Sequence, residues 1–210
     1  MALFSLKNVS FKDIIHYPDI EIPEKLATFI CGESGSGKST LLKLLNGVAS
    51  PDGGEILYDG KPIGDYNPVM LRREVLLCGQ SAYLFDGTIE ENFAQYYSYR
   101  DLPPISVEEM QTYLSLCAAA FPLDAPCATM SGGERQRVFI AICLSLRPKV
   151  LLLDEPTSAL DDTTANAVIA NIKSFCLENE MTLIAVSHNR ALVQPYADHT
   201  ITLMRGERHE

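Results

Sequence analysis

Short, unbroken apolar runs alternate with stretches of helical spacing along most of this chain. Leu26 to Cys31, Val75 to Cys78, Val150 to Asp154 and Thr182 to Ser187 read as strands, and Thr200 to Met204 as a final strand. Between them, Lys38 to Val48, Glu134 to Leu146 and about Thr163 to Leu177 read as helices. Leu3 to Phe11 alternates as a strand does. Glu55 to Tyr58, flanked by the turn signals Asp52-Gly53-Gly54 and Asp59-Gly60, reads as a strand in a hairpin. From about Gly87 to Ala128 the apolar residues take helical spacing, as in Val107, Met110, Leu114 and Cys117, with prolines at 103, 104, 122 and 126. Continuous apolar strands alternating with helices indicate a parallel sheet covered on both faces. The expected organisation is one α/β domain over residues 1–210, with a helical lobe inserted at about 87–130.

The loop between the strand Leu26 to Cys31 and the helix after it carries chemistry. Gly32-Glu33-Ser34-Gly35-Ser36-Gly37-Lys38-Ser39-Thr40 fits G-x-x-x-x-G-K-[ST], the phosphate-binding P-loop, in the strand–loop–helix setting that loop requires. Its glycines let backbone N–H groups wrap phosphates, and the helix N-terminus adds its positive end. Lys38 is placed to reach the β- and γ-phosphates, and Ser39 to put its hydroxyl on Mg²⁺. A Gly/Ser-rich turn that binds nothing is the bland alternative, and strand and helix together weigh against it.

A second strand ends in acid. Val150-Leu151-Leu152-Leu153-Asp154-Glu155 brings two carboxylates to the carboxyl end of a parallel strand, where ligands of such sheets sit. Asp154 suits the Mg²⁺ shell, since hard cations take oxygen ligands and Mg²⁺ keeps its waters. Glu155 is placed to orient or deprotonate an attacking water.

Ser131-Gly132-Gly133-Glu134-Arg135-Gln136-Arg137 combines a serine, two glycines and a helix start into a second anion site, and its S-x-x-E spacing is also a capping box. With this stretch the sequence resembles the ATP-binding-cassette (ABC) ATPases, whose signature is S-G-G-[QE] opening a helix. Met130 stands where the family more often has leucine, and Glu134 where glutamine is frequent. The other family elements follow in order: Gln80 matches the Q-loop glutamine, which touches metal and water; Ser158-Ala159-Leu160-Asp161 matches the D-loop; His188 matches the switch histidine on the γ-phosphate. The resemblance covers about residues 3 to 205. It implies a P-loop NTPase fold with an N-terminal antiparallel β-subdomain, a parallel-sheet core and the helical lobe. It also implies an ATP- and Mg²⁺-dependent ATPase whose two copies pack head to tail, so that Ser131, Gly132 and Gly133 of one face the P-loop of the other.

The family usually carries an aromatic before the P-loop that stacks on adenine. Here Asp13 falls near that position in a connection that looks shortened, and Phe11 or Tyr17 stands as a substitute.

Composition narrows what the ATPase could drive. A formal charge of −10 over 210 residues, with no basic run, disfavours nucleic acid and anionic lipid as partners. No apolar run approaches the roughly 20 residues of a membrane span. The N-terminus lacks the layout of a signal peptide, so the chain is expected in the cytoplasm. Six scattered cysteines without a C-x-x-C pair argue against a zinc site and read as core residues. Only a short charged tail follows the last strand, so an importer ATPase with a regulatory C-terminal domain is not expected.

Three attachments follow from the resemblance: a multi-span permease, making this a stand-alone transporter subunit on the inner face of the membrane; a soluble scaffold of the iron–sulfur-assembly kind; or nucleic-acid work, whose relatives carry coiled coils or tandem cassettes absent here. Gln80 to Asn92 resembles the Q-x-x-x-L-F-x-G-T-I-x-x-N stretch common in exporter-type cassettes, and small bacterial iron exporters are similar. Tyr83 to Asn92 is therefore the expected docking segment.

Overall fold

The computed structural model describes residues 2–204, so the charged tail lies outside the described residues. The N-terminal strand β1 (Ala2–Phe11) is the centre of an antiparallel sheet. It pairs with β2 (Ile15–His16) and β3 (Ile20–Pro23) along one edge and with β5 (Gly53–Tyr58) along the other. β6 (Lys61–Pro62) extends the sheet from β5. Phe4 and Leu6 point inward as alternation requires; a bulge between Lys7 and Ser10, with Asn8 at φ 51°, resets the register so that Val9 is buried.

The second sheet is wholly parallel and contains β4 (Ala27–Gly32), β7 (Val75–Cys78), β8 (Val150–Asp154), β9 (Thr182–Val186) and β10 (His199–Leu203), in the order β10-β4-β9-β8-β7. Alternate side chains of one strand serve different cores. Ile30, Leu152, Ile184 and Val186 pack with α1 (Lys38–Leu45) and with Phe4, Leu6, Ile22 and Tyr58 of the antiparallel sheet. Phe29, Leu151, Leu153 and Ala185 face the opposite way, onto α5 (Gly132–Ser145) and α6 (Asp162–Glu178). This double burial is why the strands read as continuous apolar runs.

α3 (Ile89–Tyr99) and α4 (Val107–Leu116) occupy the stretch of helical spacing, each opened by a capping box, Thr88 with Glu91 and Ser106 with Glu109. The first helix after the P-loop is shorter than its apolar pattern: Asn46 caps it and Gly47 turns at φ 67°. α2 (Pro68–Glu74) was not anticipated. Asn67 caps it by accepting from Val69 and Met70, but both of those side chains are exposed and only Leu71 is buried, so no apolar periodicity marks it. α7 (Arg190–Val193) is a single turn opened by Asn189. Among the described residues no helix is long and apolar enough to cross a membrane.

Candidate active site

Four neighbouring strands end at one edge of the parallel sheet. The pairings Cys78 with Leu153, Asp154 with Val186 and Ile30 with Val186 set their carboxyl ends level. The 32–40 loop, Gln80, the Asp154-Glu155 pair and His188 therefore leave the sheet side by side.

The loop after β4 is built around glycine. Gly32 lies at φ 154°, and a Cβ there would stand 2.2 Å from the Leu203 carbonyl oxygen and 2.8 Å from Ser36 Oγ, so no side chain is accommodated. Gly37 begins α1 in the left-handed region at φ 90° and offers no side-chain cap, and no acidic residue occupies the helix's first turn. Lys38 is 7% exposed, and its ammonium donates to the carbonyls of Gly32 at 2.8 Å and Glu33 at 2.7 Å. Among the described residues, a buried ammonium held only by carbonyls, an uncapped helix start, and the buried Ser36 hydroxyl without a partner form a cradle suited to an anion. Glu33, Ser34 and Gly35 are exposed on its outer turn, and Thr40 is half-buried in the first turn of α1.

Ser39 Oγ donates to Asp154 Oδ1 at 3.0 Å. Asp154 is buried, which pushes its carboxyl above the usual carboxylate range; the Ser39 hydroxyl opposes that rise and the Glu155 charge adds to it. A hydroxyl and a carboxylate oxygen in contact, with Gln80 exposed just beyond the adjacent strand end, are the hard-oxygen donors Mg²⁺ takes when phosphate and water complete its shell. Among the described residues no group of three or more His, Cys, Asp or Glu could hold a metal by itself. Glu155 turns out of the strand in the left-handed region at φ 51°, its N–H still bonded to the Val186 carbonyl at 3.2 Å. His188 Nδ1 lies 3.5 Å from Glu155 Oε1, with the histidine side chain largely open.

The second anion motif lies on α5. Ser131 is its N-cap and accepts from Glu134 N–H at 3.3 Å, while Glu134 Oε2 accepts the Ser131 N–H at 2.8 Å, so the capping box is present. Hydrogen bonds from the Ser131 N–H and the Ser131 hydroxyl hold the Glu134 carboxyl below its usual range. Ser131 and Gly132 are exposed, and a Cβ on Gly133 would stand 2.9 Å from that of Ala159, in the loop that follows Glu155. Asp161 ends that loop and caps α6, accepting from the Thr164 N–H at 3.0 Å and hydroxyl at 2.8 Å. The structure thus brings together the 32–40 loop with Asp154, and Glu155 with His188; Ser131 and Asp161 satisfy their own helices and leave outward-facing ends.

Sequence reasoning missed two contacts. Gln136, buried in the second turn of α5, donates to the Glu155 carbonyl at 3.3 Å and the Asp154 carbonyl at 3.5 Å. Tyr17 is 5% exposed and donates its hydroxyl to the Gly37 carbonyl at 2.9 Å; it supports the P-loop and has no free ring face for a base. Phe11 packs against the core beneath the antiparallel sheet. Ile15 is the hairpin residue that meets the P-loop from outside, with methyl carbons 3.0 and 3.2 Å from a Cβ built on Gly37, and Ile14 beside it is 74% exposed. The only sequence signal was the shortened connection at Lys12-Asp13, both in left-handed turn geometry.

Residues 15–158 match the model of the family described as ABC transporter. The chain belongs to that family. Protein STAR1 of Oryza sativa subsp. japonica is 36% identical over 197 residues, 93% of this chain and 57% of that protein. Phosphate import ATP-binding protein PstB of Saccharolobus solfataricus is 36% identical over 213 residues, 95% of this chain and 82% of that one. The solved structure of cbiO1 from Clostridium perfringens, part of the ABC transporter complex cbiONQ, superposes with a TM-score of 0.81 at 27% identity, covering 98% of this chain and 86% of that chain. The chain spans little more than half the length of STAR1 and most of PstB and cbiO1. The ABC ATPase fold expected from the signature is the fold observed.

Proposed function

We propose that the chain binds ATP with Mg²⁺ in the 32–40 loop, hydrolyses it to ADP and phosphate, and thereby powers an ABC transporter. The observation that carries this reading is the meeting of Ser39 with Asp154 and of His188 with Glu155 at one sheet edge. Loop residues Gly32 to Thr40 wrap the phosphates, and Lys38 exchanges its two carbonyls for β- and γ-phosphate oxygens. Bound Mg²⁺ supplies charge neutralisation, and Ser39, Asp154 and Gln80 would hold it. Glu155 orients and deprotonates the attacking water, and His188 stabilises charge on the γ-phosphate. Phosphoryl transfer needs little covalent help, so positioning and charge are the main work of the site.

One chain supplies one wall of that site. Two copies packed head to tail supply the other, with Ser131, Gly132 and Gly133 of one copy donating to the nucleotide of its partner, and Asp161 near the crossing point. Exposure of the α5 start supports this arrangement.

A multi-span permease is the partner we assign, held at Tyr83 to Asn92 beside Gln80. Tyr83 is 65% exposed and meets Phe85 edge-on at 5.2 Å, and Phe85 stacks obliquely against Tyr96 and Tyr99. Leu84 between them is core. An open aromatic cluster on the rim of the helical lobe is suited to a short helix of a partner. The chain would then sit on the inner face of the membrane, and the import role in PstB's name supports transport over the soluble scaffold.

Phosphate release measured with and without Mg²⁺ tests the activity. Native protein should turn over only with Mg²⁺; Lys38→Ala should lose nucleotide affinity, whereas Glu155→Gln should bind ATP and fail to turn it over. Equal turnover in Glu155→Gln would contradict the assigned base. Tyr83→Ala with Phe85→Ala should release a multi-span protein from solubilised native membranes; recovery in a soluble complex alone would contradict the permease.

A further inference from the structure

We propose that Gln136 is a positioning residue that ties the phosphate-facing start of α5 to the backbone of the catalytic carboxylate, so that the two move as one body. The proposal rests on the two-copy reading above, in which Ser131 serves the partner's nucleotide and Glu155 its own.

A carboxamide 6% exposed is costly unless its hydrogen bonds are made, and Gln136 spends its N–H donors on the carbonyls of Glu155 and Asp154. Those carbonyls lie where the sheet stops supporting them. β7 ends at Cys78 opposite Leu153, so beyond Leu153 the acidic pair has no strand on that side. Glu155, in the left-handed region, then turns its peptide away from the ladder. Gln136 replaces the missing strand.

A second contact brackets the same segment: Gly133 lies so close to Ala159 that their Cβ positions would be 2.9 Å apart. The start of α5 therefore grips the 155–159 stretch at both ends. A pull on the Ser131 end, as when it closes on a phosphate, reaches Glu155 through one side chain and one close backbone approach. In a head-to-tail pair this makes each chain a link between two ATP sites: filling the site that Ser131 faces aligns the base in the other.

The test uses Gln136→Met, which keeps length and removes the donor, and Gln136→Lys, which restores a donor of similar reach. Gln136→Met should lower kcat about 10–100-fold, since a misplacement on the order of an ångström can cost about 100-fold. KM, and separately ATP-driven pairing read in a Glu155→Gln background, should stay within about twofold of the values without the Gln136 change. Gln136→Lys should keep kcat within threefold of native. Native kcat in Gln136→Met, or equal losses in both variants, would overturn the proposal. Hydrogen exchange in nucleotide-free protein separates it from the functional reading: amides 155–159 should exchange faster in Gln136→Met than in native protein. Unchanged exchange would overturn the tether whatever the ATPase measurement gives, whereas native protein that neither pairs nor hydrolyses ATP would overturn the two-copy reading and with it the link between sites.

Discussion

Ser39 and Asp154, 115 residues apart in the chain, share a hydrogen bond of 3.0 Å between hydroxyl and carboxylate. The contact joins the first turn of α1 to the end of β8 and gathers two oxygen donors. Ser39→Ala should weaken ATP binding in the presence of Mg²⁺ and leave metal-free binding within about twofold of native. Titration with a fluorescent ATP analogue in Mg²⁺ and in EDTA checks this, and equal losses in both would remove Ser39 from the metal.

Aliphatic carbon, not an aromatic face, lies beside the P-loop at Gly37. Tyr17 is buried with its hydroxyl against Gly37, burial pushing its phenol well above its ordinary range, and Ile15 packs its methyl carbons beside the same glycine. An aromatic platform is worth on the order of 1–3 kcal/mol per base. Without one, ATP and GTP should be hydrolysed with comparable kcat/KM, at a raised KM. Ile15→Tyr should lower KM for both nucleotides, whereas Phe11→Ala should leave the ratio unchanged. Strong selectivity for ATP that disappears in Phe11→Ala would show that Phe11 reaches the base.

Asp198 ties the start of β4 to α6, accepting from the Ala27 N–H at 2.9 Å and the Lys173 ammonium at 2.6 Å. Burial alone would raise its carboxyl; the Lys173 and Ala27 bonds outweigh burial and leave it below the usual carboxylate range. A depressed carboxyl stabilises the fold above its unfolded pKa, about 3.9, and that stability is lost as pH falls through the folded value. Asp198→Asn should therefore cost about 1 kcal/mol at pH 7. The difference from native should shrink as pH falls below about 4, and urea unfolding across that range measures it. A constant difference would place the effect in packing and not in charge.

The P-loop, the acidic pair, the signature and His188 are legible in sequence because each is local: glycines at fixed spacing, or polar residues where an apolar run stops. Double-faced burial of β8 and β9 is legible for the same reason. α2 is not, because Val69 and Met70 face solvent and hide its period, although Asn67-Pro68 is a cap followed by proline. The hairpin at Lys12-Asp13 is hidden because left-handed turn residues other than glycine carry a weak signal. The contacts of Tyr17 with Gly37 and of Gln136 with Glu155 depend on elements packed from distant parts of the chain, and no spacing announces them.

The proposed ATP site is shared by two copies of this chain. Glu155→Gln removes the base and one negative charge, so ATP should persist between the copies. Sedimentation velocity of Glu155→Gln protein with Mg²⁺ and saturating ATP should give a dimer that reverts to monomer when nucleotide is withdrawn. Adding Ser131→Arg to the same protein should abolish the dimer while each monomer still binds ATP. A Glu155→Gln protein that remains monomeric with ATP bound at high concentration, or a dimer indifferent to Ser131→Arg, would contradict the shared site.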